Sequence, residues 1–418
     1  MTPRWWAAAA LLLLVVALVL VLTVRVPWTT PVPPRSEQLD ALRDIPADAV
    51  ARGRAFHAAL RPGTYGAMTV GLAAALALGL TPLGAALVRL AGRPFGGHWL
   101  AEALFGGLII VVVSELVGLP FAAWRQVVVR RYGLSTQGWG GWAVDLLKAY
   151  AIGAVLAAVV LVCLYTVTHV APRWWWVWAA VGGAALTVLL SFVFPVLVEP
   201  VFNRFTPLAA GPLRTDLIAM ADRDGVGVRD VLVADASRRT RAVNAYVSGI
   251  GPTRRIVVYD TLLREASPAE VQSVVAHELG HARDGDVVTG TVVGALGAAS
   301  AACLLYLMGG WTGLLRLARV DSLGEPRAVA LLLAIVAVAG LVAGPAQAAI
   351  SRRIESRADR HALALTGDAT TFAAMQARLS RVNLGDPDPN PVEHLLFGSH
   401  PTTVQRMAAA AAWVRIPR

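Results

Sequence analysis

Thirteen residues in the last third of the chain have the types and spacing of a hydrolytic metal site. They are VVAHELGHARDGD, Val274 to Asp286. His277 and His281 are four apart, so on a helix they share one face and can reach one metal ion. Glu278 follows the first histidine, where its carboxylate can reach a water beside the metal without binding the metal itself. A catalytic zinc takes three protein ligands and keeps a fourth position open for water. One Zn2+ per chain is therefore expected, with Glu278 as general base toward a peptide carbonyl.

The segment just before the motif sets up the helix this spacing needs. In SPAEVQSVVAHELGH, Ser267 can cap the helix, Pro268 suits its first position and Glu270 completes a capping box. The third ligand should come from another helix. SRRIESRADRHAL (Ser351 to Leu363) offers Glu355 and Asp359, four apart on one face. Glu355 can complete a His2Glu ligand set, and Asp359 can accept a hydrogen bond from a ligand histidine and fix its tautomer. His361 points elsewhere on that helix and reads as structural. His57, His98, His169 and His394 show no partner pattern.

The rest of the chain is built for a bilayer. Of 418 residues, 56% are hydrophobic and 15% charged, well short of the charged quarter usual in soluble domains. The apolar residues gather in seven runs of spanning length, near 6–24, 66–90, 101–122, 149–170, 174–198, 287–309 and 327–350. The first reads as a retained anchor rather than a signal peptide, since LTVRVPW offers no small-residue cleavage site. WWWVW (Trp174 to Trp178) reads as an interfacial belt. Glu115, in VVVSELVG, is a carboxylate at bilayer depth, either lining a polar cavity or paired structurally. PWTTPVPP (Pro27 to Pro34) is a stiff extended linker. Cys163 and Cys303 sit in apolar runs and read as small buried residues.

The chain divides into five spans (1–198), a protease segment with short strands at RDVLVAD and RRIVVYD (199–286), two spans (287–350) and a helical C-terminal segment (351–418). The net charge of +10 reflects arginines between spans, not a basic stripe with interleaved aromatics, so a nucleic-acid partner is not expected. Ten Lys and Arg flank the spans on the side of the protease segment and seven on the other. That bias puts the site on the cytoplasmic side of the cell membrane.

With these residues in view, the sequence resembles the type I CAAX prenyl endopeptidase family, integral-membrane zinc metalloproteases related to HtpX. The resemblance rests on HELGH (277–281), ESRAD (355–359), EPVFNRFTPL (199–208), RAVNAYVSGIG (241–251) and SHPTTVQRM (399–407). It implies a mainly α-helical multi-pass membrane protein of about seven transmembrane helices with a zincin-like α/β metalloprotease domain, the helices ringing a water-filled chamber. It also implies that Asn244 holds substrate backbone, that His400 donates to the developing oxyanion, and that Arg406 pairs with acidic groups of the site. The expected substrates are lipidated or apolar peptides, or membrane proteins, presented at the lipid bilayer. The competing reading is a transporter or channel with a structural zinc site, which should show repeats and broken helices at matching positions.

Overall fold

A computed structural model describes residues 2–249 and 251–415. Six of its helices are long and apolar enough to cross a bilayer, and one bent pair makes a seventh candidate. In chain order they are α1 (Pro3–Arg25), α2 (Ala47–Gly79) bent by 70° into α3 (Pro82–Phe95), α4 (Trp99–Arg131), α5 (Trp139–Val170), α6 (Trp175–Phe202), α8 (Asp286–Met308) and α9 (Pro326–Thr366). Between α6 and α8 lie four short strands and α7 (Pro268–Asp284). After α9 come α10 (Ala369–Val382) and α11 (Thr403–Val414).

The second apolar run differs from its expected form. It is not one helix over 66–90: the helix starts at Ala47 and ends at Gly79, and Pro82 begins the next with Thr81 as its cap. The polar half of α2, with Arg52, Arg54, His57 and Arg61, is invisible to hydropathy because it continues a span beyond its apolar part. Gly79 marks a close crossing, since a Cβ there would lie 2.5 Å from that of Ala334 on α9. Likewise α9 does not stop at residue 350. It runs on as a helix of 41 residues, about 60 Å at 1.5 Å per residue, and carries Glu355 and Asp359 out of its apolar half.

The spans meet along narrow seams. α1 packs along α8, α8 against α6, and α2 against α4 and α9. The most apolar 18 residues of α6 include none buried inside the protein, the helix's buried side chains being Trp175, Trp176 and Ala180, against 33% for α9, the most enclosed. Glu115, half-buried on α4, has the Tyr150 hydroxyl of α5 as its polar neighbour.

The sheet has the order β1-β2-β4-β3, with β1 (Phe205–Pro207), β2 (Val231–Ala234), β3 (Ala245–Ser248) and β4 (Arg255–Tyr259). β2 and β4 are parallel, and the outer pairs are antiparallel. The strands read at RDVLVAD and RRIVVYD are β2 and β4. β1, only three residues long, is too short to show alternation. Glu199, at the end of α6, accepts from Ser248 of β3 at 3.1 Å and pairs with Arg255 of β4 at 3.5 Å, fastening the sheet to the membrane part.

One apolar core joins sheet and helices. Val231, Ile256 and Val258 meet Val275 and Leu279 of α7, Leu363 of α9, and Phe372 and Met375 of α10. Fully burying each such side chain contributes about 1.5–3 kcal/mol, so α7 and α9 are held together independently of any metal. The start of α7 is fixed as its sequence suggested. Ser267 accepts from the Glu270 amide, Glu270 reaches back to the Ser267 amide at 2.8 Å, and Arg378 of α10 donates to Glu270 at 2.8 Å. Ser267→Ala should therefore destabilise the protein by about 1 kcal/mol, seen as a lower thermal unfolding midpoint in detergent with bound metal unchanged.

Candidate active site

α7 crosses the lower half of α9, and the predicted ligands meet at that crossing. His277 Nε2 and His281 Nε2 are 3.2 Å apart. Glu355 Oε2 lies 3.2 Å from His277 Nε2, and Glu355 Oε1 lies 3.6 Å from His281 Nε2. Among the described residues these three form a group whose ligand atoms all fall within 4.8 Å of one another. Glu355 Oε2 is buried without a hydrogen-bond partner. Two imidazole nitrogens face to face beside such a carboxylate oxygen are a donor set suited to a cation.

Local sequence explains the closeness. Gly280, inside HELGH, lets the His361 ring pack against α7, for a Cβ there would sit 3.1 Å from it. His361 Nε2 is 2.9 Å from Asp224, which also pairs with Arg283 at 2.7 Å. His361 is thus a tie between helices, apart from the ligand cluster. Asp359 Oδ1 is 2.9 Å from His277 Nδ1. Arg406 of α11 grips both oxygens of Asp359, with Nε 2.9 Å from Oδ2. His400 Nε2 is 3.3 Å from Glu355 Oε1, and its side chain is 57% exposed, so it borders the cluster and stays open to a ligand. Asn244 precedes β3 at the sheet edge; its side chain is exposed, and its carbonyl accepts from the Tyr259 amide at 3.0 Å. The structure brings His277, His281, Glu355, Asp359, His400 and Arg406 into contact. No polar contact joins Asn244 to them, although β3 packs against α7.

Two residues at this crossing were not among the sequence candidates. Asp286 Oδ2 is 2.8 Å from His281 Nδ1, and Arg357 holds the other Asp286 oxygen. Asp286 lies in the quoted stretch, but five residues after His281 it would leave the shared face of a continuous helix. Gly285, at φ +68°, turns the chain so that it returns.

Charge follows this geometry. Burial pushes the Glu278 carboxyl above the ordinary carboxylate range, opposed by the neighbouring histidines. Burial lowers the proton affinity of His281, but the Asp286 and Glu355 carboxylates outweigh it and lift the value to about 10. At neutral pH the metal-free site therefore holds a proton on His281 that a metal must displace. Metal uptake at pH 7 should release protons, and affinity should fall as pH falls. Calorimetry in two buffers of different ionisation enthalpy measures the release; equal heats in both would contradict it.

Residues 207–414 match the model of Peptidase family M48, and residues 64–204 match that of the CAAX prenyl protease N-terminal part, five membrane helices. The metalloprotease YhfN of Bacillus subtilis is 27% identical over 313 residues, covering 72% of this chain and 71% of its own. CAAX prenyl protease 1 homolog of Homo sapiens is 24% identical over 371 residues, covering 77% and 78%. The crystal structure of S. mikatae Ste24p superposes with a TM-score of 0.79 at 21% identity, over 97% of this chain and 99% of that one, a likeness of fold. With two family models covering the membrane and protease parts in turn, the chain belongs to peptidase family M48, as a multi-span membrane metalloprotease of the CAAX prenyl protease type.

Proposed function

We propose that His277, His281 and Glu355 hold one zinc ion and that the chain cleaves lipidated or apolar peptides, or membrane-protein segments, at the cytoplasmic face of the plasma membrane. The observation carrying this reading is the convergence of the three ligands. Zinc bonds of about 2.0–2.1 Å in a tetrahedron give edges of about 3.3–3.4 Å; the two imidazole nitrogens are 3.2 Å apart, and the Glu355 carboxylate approaches each of them through a different oxygen, at 3.2 and 3.6 Å. The ion would supply Lewis acidity, polarising the scissile carbonyl and making water easier to deprotonate.

The residues of the chain do the rest. Glu278, with a proton affinity raised by burial, takes the proton of the attacking water and passes it to the leaving amine. Ser399 Oγ, 2.9 Å from His400 Nδ1, donates there and leaves the ring hydrogen on Nε2. That hydrogen faces Glu355 Oε1, 3.3 Å from Nε2, and, once Glu355 is committed to the metal, turns to the oxyanion that forms on the carbonyl. Arg406 keeps Asp359 ionised against His277. Asn244 and the edge strand β3 receive extended substrate backbone.

Two features bear on the substrate class and the side of the membrane. α9 delivers Glu355 directly from its apolar half, so a substrate anchored in lipid meets the site at the bilayer surface. The excess of Lys and Arg on that side favours the cytoplasm. Both family models matched by the chain are those of proteases, which favours proteolysis over transport.

Glu278→Gln should bind one zinc per chain and lose at least about 10²–10⁴-fold in cleavage of a quenched fluorescent peptide with an apolar C-terminus. His400→Ala should lower kcat by about 10²–10³-fold with zinc retained. Equal cleavage by wild type and Glu278→Gln would remove Glu278 from its role. Pairing farnesylated and unmodified peptides in the same assay tests the preference for lipidated substrates.

A further inference from the structure

The two ligand histidines are braced in parallel ways. His277 donates from Nδ1 to Asp359, and Arg406 clamps that carboxylate. His281 faces Asp286 through its own Nδ1 at 2.8 Å, and Arg357 holds the second oxygen of Asp286. Asp286 and Asp359 are both enclosed, with side chains 11% and 5% exposed. An Nδ1–H committed to a carboxylate leaves the Nε2 lone pair aimed at the metal.

Arg357 also reaches beyond this pair. Its Nε is 2.5 Å from Asp284 Oδ2, and its Nη1 donates to the carbonyl of Arg25, the last residue of α1, at 3.0 Å. Arg25 answers by donating to the Asp284 carbonyl at 3.1 Å and to Thr289 Oγ1 of α8 at 3.1 Å. The turn between α7 and α8 is thus interlocked with the end of the first membrane helix. Residues 1–63 lie outside both family models.

Resting on the metal-site reading above, we propose that Asp286 and Arg357 are positioning residues for His281, and that the end of α1 holds Arg357 in place, making the first membrane helix part of the metal site's support. Losing Asp286 frees the ring to rotate or to change tautomer. Losing Arg357 lets Asp286 swing toward solvent and removes the tie between this carboxylate and the end of α1.

The test is zinc affinity of the full-length, metal-stripped protein in detergent, by competition with a chelating dye, together with the visible spectrum of the cobalt-loaded form. Asp286→Ala should weaken zinc by about 10–100-fold, and Asp286→Asn, which keeps the shape and an acceptor, should fall between it and wild type. Arg357→Gln should weaken zinc and shift the cobalt bands, with Arg357→Lys recovering part of both. Arg378→Gln, which breaks an ion pair at the far end of α7, serves as the structural comparison and should lower thermal stability without moving either readout. Wild-type zinc affinity and an unshifted cobalt spectrum in Asp286→Ala and Arg357→Gln would overturn the proposal, as would equal effects in Arg378→Gln. If His281→Ala also binds zinc as tightly as wild type, the metal-site reading itself has failed.

Discussion

Three ligand atoms from two helices must meet within a few ångströms, and one of those helices is a membrane span. Two imidazoles and a carboxylate do not gather unaided in a half-buried place, because each loses hydration on entering it. Here they are gathered by packing that does not involve them. The apolar core from β2 and β4 through Val275, Leu279, Leu363 and Phe372 clamps α7 to α9. Gly280 sets how closely they cross. Once that crossing is fixed, His277, His281 and Glu355 face one another whether or not a metal is present.

The carboxylates around the ligands are matched by arginines. Asp359 has Arg406, Asp286 has Arg357, and Asp224 has Arg283. Each pair keeps an enclosed charge compensated, which is the condition for keeping a charge at all in low dielectric. Glu278 and Glu355 have no arginine clamp among the described contacts: Glu355 faces the histidines instead, and burial raises the proton affinity of Glu278. A base that must take and return a proton is better unclamped. The arginines thus hold the carboxylates that brace the histidines, and leave unclamped the two proposed to meet metal and water.

Much of this was legible before the structure. His-Glu-x-x-His, its capping box and the Glu355/Asp359 pair are local patterns, and a helix periodicity places each on one face. His400 and Arg406 were reachable only through resemblance, because α11 comes back to the site from some 50 residues beyond Glu355, a separation no local pattern encodes. Asp286 was hidden by the left-handed turn at Gly285, and Arg357 by lying two residues from Glu355, off its face. The early start of α2 was hidden because hydropathy detects only the apolar part of a helix, and Arg52 to Arg61 lie on its polar part. Nothing in PWTTPVPP showed that its Thr30 would accept hydrogen bonds from Arg353 and Arg360 of α9. Such contacts are set by where the ends of α1 and α9 arrive together.

The central claim, that a membrane span and a protease helix jointly supply a His2Glu zinc site, is met most directly by X-ray absorption spectroscopy of the zinc-loaded protein in detergent. Two imidazoles, with zinc–nitrogen distances of about 2.0–2.1 Å, and light oxygen scatterers in the remaining positions are the expected result. In Glu355→Gln the imidazole signal should persist while the oxygen shell changes. A first shell without imidazole scattering, or one that Glu355→Gln leaves unaltered, would contradict the assignment of the ligands.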